Sequence, residues 1–325
     1  SNKINVTRLL FKVTSLFGKL MSKNVMVRQL PAHIAFSQEI TQSVTKPLSY
    51  NLSNSCGQSL TIQELCELSG KDYIERLNQV SLNYASLKGS SELRQAILDF
   101  HLKLNPMPKI DLSAKHINNP KQLTQDNVIT FCGAQEALAA VYQSLLCAGD
   151  EIVVLTPCYP SLVTMAENIG VTIKAIALNS ADDWHFSFEQ IQKNVNKKTR
   201  LIVINSPHNP SGSVVETELS NKILQLAKQY QCYLLADDVS QASNYHHLAL
   251  NHHYLSYSKS IVVSVLSKSF GLAGVRVGWA ISPNKALIEK LLAVKCYGSI
   301  CGSATDELLA IAALNNHKSI INRIN

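Results

Sequence analysis

The stretch SVLSKSFGLAGVRVGW, residues 264–279, sets a lysine between two serines at the end of an apolar run and an arginine eight positions later. An amine that is to attack a carbonyl must be uncharged and unlocked by any carboxylate, and around Lys268 and Arg276 the sequence offers only Ser, Val, Leu, Phe, Gly, Ala and Trp. The chemistry suggested is a nucleophilic amine beside a cation able to hold an anion. The plain alternative, two solvated cations at a strand end, is the commoner fate of an isolated Lys–Arg pair.

Three further stretches bear on that choice. In ITFCGAQEALAAV, residues 129–141, a strand runs through Gly133-Ala134-Gln135 into a helix, presenting backbone N–H groups and the positive end of the helix dipole to an anion. A bare tight turn would read the same way, and Glu136 must point its carboxylate elsewhere for an anion to bind. In VINSPHNPSG, residues 203–212, Pro207 and Pro210 restrict the backbone and hold Asn209 with its amide toward the cleft, unless the segment is only an Asx turn. In LLADDVSQ, residues 234–241, Asp237 ends an apolar run and is either an ordinary strand-end charge or the buried partner of a cation.

These groups must be brought to one edge by the elements between them. Apolar, Val- and Ile-rich runs at Val128 to Phe131, Ile152 to Leu155, Leu201 to Asn205, Tyr233 to Ala236 and Ile261 to Leu266 lack polar alternation, as strands buried on both faces do. Helical periodicity separates them at Gln135 to Cys147, Pro160 to Ile169 and Glu216 to Tyr230. The alternation predicts a parallel sheet covered by helices on both faces, with ligands outside the carboxyl ends of the strands. A helix follows Gly89, capped by Ser90 or Ser91 with Glu92 in its first turn, and two more are expected at Lys285 to Cys296 and Ser303 to Ile324. No GxGxxG follows a strand, which argues against a dinucleotide-binding enzyme.

The chain has 325 residues, 46% of them hydrophobic and 16% charged, with eight cysteines in no metal-binding or regular spacing. That composition points to an ordinary globular protein with reduced thiols in a cytoplasmic setting and no metal site. No apolar run approaches the roughly 18 residues of a membrane span. The net charge of +7 does not describe a nucleic-acid surface, because six cations, Lys3, Arg8, Lys12, Lys19, Lys23 and Arg28, precede the first acidic residue, Glu39. In that leader Val6, Leu9, Leu10, Val13, Leu16, Phe17 and Leu20 recur at helical spacing. It reads as an arm for a partner subunit, a leader before a start at Met21 or Met26, or a targeting segment.

The spacings are 28 residues from Asn209 to Asp237, 31 from Asp237 to Lys268 and 8 from Lys268 to Arg276. Taken together, the stretches resemble the class I and II aminotransferases, pyridoxal-phosphate (PLP) enzymes of fold type I. The family's NPxNPTG motif is matched within Asn205 to Gly212, its DE(V/I)Y motif by Asp237-Asp238-Val239-Ser240, and its SKxxxxxGxRxG motif by Ser267-Lys268 through Arg276 and Gly278. Tyr84, Gly89, Leu93 and Arg94 match its YxxxxGxxxLR element, and the likeness covers roughly residues 50–320. The stretch NLSNSCGQSLTIQEL, residues 51–65, is also similar to members near capreomycidine synthase, some of which cyclise or eliminate instead of transaminating.

The resemblance implies an α/β three-layer sandwich with a mostly parallel sheet: a basic arm or leader over 1–50, a large PLP-binding domain over 51–300 and, at 301–325, the start of a small domain whose remainder is absent. It implies Lys268 as the Schiff-base lysine, Asp237 as partner of the pyridinium nitrogen and Asn209 as donor to the ring phenolate oxygen. Tyr159 would lie on the ring face, while Gly133, Ala134, Gln135, Ser267 and Arg276 would surround the phosphate. Tyr84 would reach the phosphate of a neighbouring subunit, making the active unit a homodimer. The sequence departs from the pattern at Ser240, where a tyrosine usually meets the phenolate oxygen, and at Val265, where a serine often meets the phosphate. The arginine that binds the substrate carboxylate in relatives lies in their small domain, beyond the stretch matched by residues 1–325, as expected either of an incomplete sequence or of a truncated relative. Expected is an aminotransferase acting on an amino acid and a 2-oxo acid; a PLP lyase or cyclase, or a non-catalytic PLP-binding homologue, would use the same residues.

Overall fold

The computed structural model describes residue 34 and residues 55–70, 72–104, 123–243 and 252–324. The basic leader expected within residues 1–50 falls outside the described residues. Along the chain the elements are α1 (Ile62–Ser69), α2 (Asp72–Asn78), α3 (Ser91–Leu104), β1 (Val128–Phe131), α4 (Ala134–Leu145), β2 (Glu151–Thr156), α5 (Ser161–Glu167) and β3 (Thr172–Ala177). There follow α6 (Phe188–Asn194), β4 (Thr199–Asn205), α7 (Thr217–Tyr230), β5 (Tyr233–Asp237), β6 (Ser260–Val265), β7 (Gly278–Ile281), α8 (Lys285–Lys295), α9 (Ala304–Asn315) and α10 (His317–Ile324).

The seven strands form one sheet in the order β1-β7-β6-β5-β4-β2-β3, parallel throughout except for β7, which runs against both its neighbours. Both faces of the central strands are covered. Val153 and Leu155 of β2 pack with Ile202, Leu234 and Trp279 on one face, while Ile152 and Val154 pack with Val203, Leu235 and Val263 on the other. Side chains alternate between faces, so every residue of a strand covered on both sides is buried, as in β6, where four apolar residues are joined by Ser260 and Ser264, whose hydroxyls donate to Tyr257 O at 2.7 Å and Asp238 O at 3.1 Å. Each such Val, Ile or Leu contributes roughly 1.5–3 kcal/mol of burial.

Local chemistry sets the helix ends. Glu64 N donates to Thr61 Oγ1 at 3.2 Å while Thr61 N donates to Glu64 Oε2 at 2.7 Å, a reciprocal cap on α1. Ser90 is the residue that caps α3, its Oγ accepting from Leu93 N at 3.2 Å. Helix α9 is buried from Glu307 to Leu314 and packs against α1 and α3, which accounts for its lack of a polar face.

The single helix expected over Ser303 to Ile324 is in fact two. At Asn316 the backbone leaves the helical region, with φ −113 and ψ 23; its Nδ2 adds a second donor to Ala312 O at 3.0 Å and His317 Nδ1 meets Leu314 O at 2.9 Å, so side chains share in satisfying the carbonyls at the break. Two strands were absent from the sequence reading. β3 is an edge strand with mostly exposed or half-buried residues and carries no apolar run. β7 has four residues and opens on a glycine, which hides it in the glycine-rich stretch after Lys268. The short helices α1, α2 and α6 were also missed, having too few turns to display a period.

Candidate active site

The parallel strands point their carboxyl ends one way, and the polar residues singled out above follow those ends. After β1 comes Gly133, at φ +87, a conformation that disfavours side chains. A Cβ there would run into Arg276 Nη2, and a Cβ on Gly278 would run into the Gly133-Ala134 peptide. These two glycines therefore allow the loop before β7 to lie against the start of α4. Arg276 holds its own place with φ +51, a left-handed conformation that costs a non-glycine residue roughly 1–3 kcal/mol. Its guanidinium is exposed and donates to Cys132 O and Ala273 O, both at 3.2 Å.

No side chain caps α4 at Gly133. Glu136 turns back, its Oε2 accepting from Cys132 N at 2.6 Å and its Oε1 from Ser299 N at 3.3 Å, so its carboxylate is withdrawn from the helix entrance. Gln135, in the first turn, accepts from the Tyr159 hydroxyl at 3.2 Å and donates to Ser161 Oγ at 2.9 Å. The loops after β1 and β2 are thereby tied together.

At the centre of the sheet Asn205 pairs with Asp237 across β4 and β5, and Asn205 Nδ2 donates to Asp237 O at 3.0 Å. Asn205 Oδ1 accepts from Asn209 N at 2.7 Å, fixing the loop on which the exposed Asn209 side chain stands. The Asp237 carboxylate is 3% exposed and accepts from Val239 N at 3.2 Å. Burial pushes this carboxyl up to about 6, against the pull of the Val239 N–H and the Lys268 cation. Its neighbour Asp238, equally buried, is pushed up to about 8 by burial and then by the negative charge of Asp237. Both carboxyls of the pair therefore hold their protons more tightly than an exposed carboxyl would, Asp238 more than Asp237.

Lys268 is half-buried after β6, next to the buried Ser267. Its Nζ donates to Ser55 Oγ at 2.7 Å and to Cys56 Sγ at 3.7 Å. Ser240 is half-buried near the end of β5, and Val265 is buried within β6. Tyr84 belongs to a different surface. It is 80% exposed and, with Leu82, Asn83 and the segment Cys301 to Thr305, lines a cleft of about 310 Å³. Sequence reasoning missed Asp238, Ser55 and Cys56 as contributors. Asp238 was quoted only as part of a motif, and the Ser55-Cys56 pair carries no spacing that points toward a lysine 213 and 212 positions away.

The donor set fits PLP. An uncapped helix start, a guanidinium laid over a glycine and Ser267 suit a dianionic phosphate, and a buried carboxyl suits a ring nitrogen with which it can share a proton. A lysine amine within electrostatic reach of that carboxylate suits an aldehyde.

Comparison with known proteins gives a consistent picture. The family "Aminotransferase class I and II" matches residues 57–324. A probable aspartate aminotransferase of Methanocaldococcus jannaschii is 28% identical over 253 residues, 75% of this chain and 62% of that protein. Capreomycidine synthase of Streptomyces vinaceus is 30% identical over 194 residues, 60% of this chain and 50% of that protein. This chain thus spans less than two thirds of the length of these curated relatives. Among solved structures, a PLP-dependent aminotransferase from Streptococcus suis superposes with a TM-score of 0.77 at 24% identity, covering 91% of this chain and 74% of the other. A Thermus thermophilus aspartate aminotransferase mutant complexed with tryptophan gives 0.79 at 20% identity, covering 93% and 75%. At these identities the two structures establish the fold.

Proposed function

The chain belongs to the class I and II aminotransferases, a PLP-dependent family, and from that premise we propose that it transfers an amino group between an amino acid and a 2-oxo acid, with Lys268 as the cofactor lysine. The observation that carries the reading is that an amine and a buried carboxyl stand at neighbouring strand ends within electrostatic reach of each other, beside a helix start fitted for phosphate. When bound, PLP supplies an aldehyde that condenses with amines and a ring that takes up the electron pair released at the substrate Cα.

The protein's own residues supply the rest. Arg276, Ser267 and the N–H groups of Ala134 and Gln135 would hold the phosphate, the arginine with two parallel donors. Asp237 would keep a proton on the ring nitrogen. The strand-end position of Lys268 lets its amine carry a proton to and from the carbon that loses it. Tyr159, held by Gln135, would lie along the ring and exclude water from one face. Asn209 would donate to the phenolate oxygen, and Ser240, shorter than the tyrosine common in the family, would leave that oxygen one donor poorer.

In this reading the cofactor-binding domain takes in residues 51–300, with 301–325 assigned to a smaller domain. A homodimer is part of the proposal, supported by the exposed side chains Leu82, Tyr84, Leu87, Tyr297 and Ile300, with Tyr84 reaching the partner's phosphate. So is a cytoplasmic location, supported by eight cysteines that are all free thiols. Among the described residues, no helix is long and apolar enough to cross a membrane.

The match to capreomycidine synthase supports a second reading, a PLP lyase or cyclase. One experiment separates the two. The PLP-loaded protein is mixed with a panel of amino acids without any acceptor. One equivalent of 2-oxo acid per site, with no ammonia released, is expected for transamination; multiple turnovers, with ammonia or a cyclised product, would replace it with the second reading.

A further inference from the structure

Lys268 is held by a segment far from it in sequence. Gly57 N donates to Lys268 O at 3.2 Å, and Arg323 Nη2 donates to Gln58 O at 2.6 Å. Gly271, at φ +66, leaves no room for a Cβ because Gln58 O lies against it. Residues 55–58 are thus held against the lysine loop by one backbone hydrogen bond and the close approach at Gly271, and from the other side by Arg323 of α10, which fixes where the Ser55 hydroxyl and the Cys56 thiol stand.

Both of these groups point at one atom, Lys268 Nζ. A neutral amine has two N–H bonds and one lone pair. If one N–H is donated to Ser55 Oγ and the other to Cys56 Sγ, the lone pair is directed away from both and is available to take a proton. The clamp itself uses only backbone groups of residues 57 and 58, so it does not depend on the Ser55 hydroxyl or the Cys56 thiol.

Resting on the reading of Lys268 as the cofactor lysine, we propose that Ser55 and Cys56 are positioning residues that dock the Lys268 amine while it is not bonded to the cofactor and aim its lone pair for proton transfer. The step involves no redox change: the amine gains a proton at nitrogen, the carbon acid loses it, and both docking contacts persist as N–H donations.

Two measurements test the dock. In the cofactor-free protein, the rate of Cys56 alkylation by iodoacetamide is read peptide by peptide in wild type and in Lys268→Met. An amine donating to Sγ occupies a sulfur lone pair and covers the atom, so the rate is expected to rise about threefold or more on losing it; equal rates would overturn the pairing. In the PLP-loaded protein, Ser55→Ala with Cys56→Ala is expected to lower kcat about tenfold to a hundredfold with KM for the amino donor nearly unchanged, and Ser55→Thr with Cys56→Ser to restore most of it. An unchanged kcat, or a loss shared with KM and not rescued, would overturn the dock. Failure of the underlying reading is distinguishable: borohydride would then fix no cofactor at Lys268 in any variant, while the alkylation comparison needs no cofactor.

Discussion

Two lysines of this chain sit in opposite circumstances. Lys295, at the end of α8, is 1% exposed; its Nζ donates to Leu87 O at 2.7 Å and lies 5.7 Å from the centre of the Phe131 ring. Burial holds its pKa below the ordinary lysine value, opposed first by Glu136 and then by Cys132, Glu307 and Cys301. Lys268 is half-buried, its donors go to a hydroxyl and a thiol, and its charge acts on Asp237. Burial alone would have singled out Lys295 as the reactive amine. Its nitrogen, however, is spent on a backbone carbonyl and an aromatic face, whereas that of Lys268 faces groups that release it readily. In the proposed assignment the reactive lysine is therefore marked by what it is bonded to, and Lys295 by how completely it is enclosed.

The sharpest way to break the comparison is to remove each amine. Lys268→Ala should leave a folded protein and reduce turnover by about three powers of ten or more, equivalent to about 4 kcal/mol or more of barrier. Lys295→Met should do the reverse, lowering stability by roughly 2–4 kcal/mol in urea titration while each folded molecule keeps its turnover. Comparable turnover losses in both would erase the distinction. Next in size, Asp237→Ala should retain PLP yet lose about two to three powers of ten in turnover, measured at saturating substrate. Arg276→Lys should weaken PLP binding by about tenfold in equilibrium dialysis, because one point charge replaces a planar fork.

The smallest expected effect concerns the aspartate pair. Both carboxyls are raised above their unfolded values, so the folded protein binds their protons more tightly than the unfolded chain. That contribution to stability is complete below about pH 4 and is lost as pH rises through about 6 for Asp237 and about 8 for Asp238. Asp238→Asn should flatten the upper part of this decline in the cofactor-free protein, gaining on the order of 1–2 kcal/mol over wild type between pH 6 and pH 9. Parallel stability curves for the two proteins would show that Asp238 does not titrate in that window.

The half of the site that was legible in the sequence lies where an apolar run stops at a polar residue. Asp237, Lys268 and Gly133 each follow a buried strand closely, and the topology of a parallel sheet carries them to one edge without any further information. Ser55 and Cys56 gave no such signal, because they reach Lys268 only through a clamp made of backbone groups and a bare glycine. The place of Lys295 was equally hidden, since enclosure by Leu87, Phe131 and Glu136 is a property of packing. β3 and the break at Asn316 show the same limit: one is an edge without an apolar run, the other a pair of side chains competing for carbonyls.

The most direct test of the central claim is to load the protein with PLP, reduce it with borohydride and locate the added mass by peptide sequencing. The cofactor is predicted on Lys268 alone. Its attachment to Lys295 or another lysine, or no attachment at all, would contradict the account.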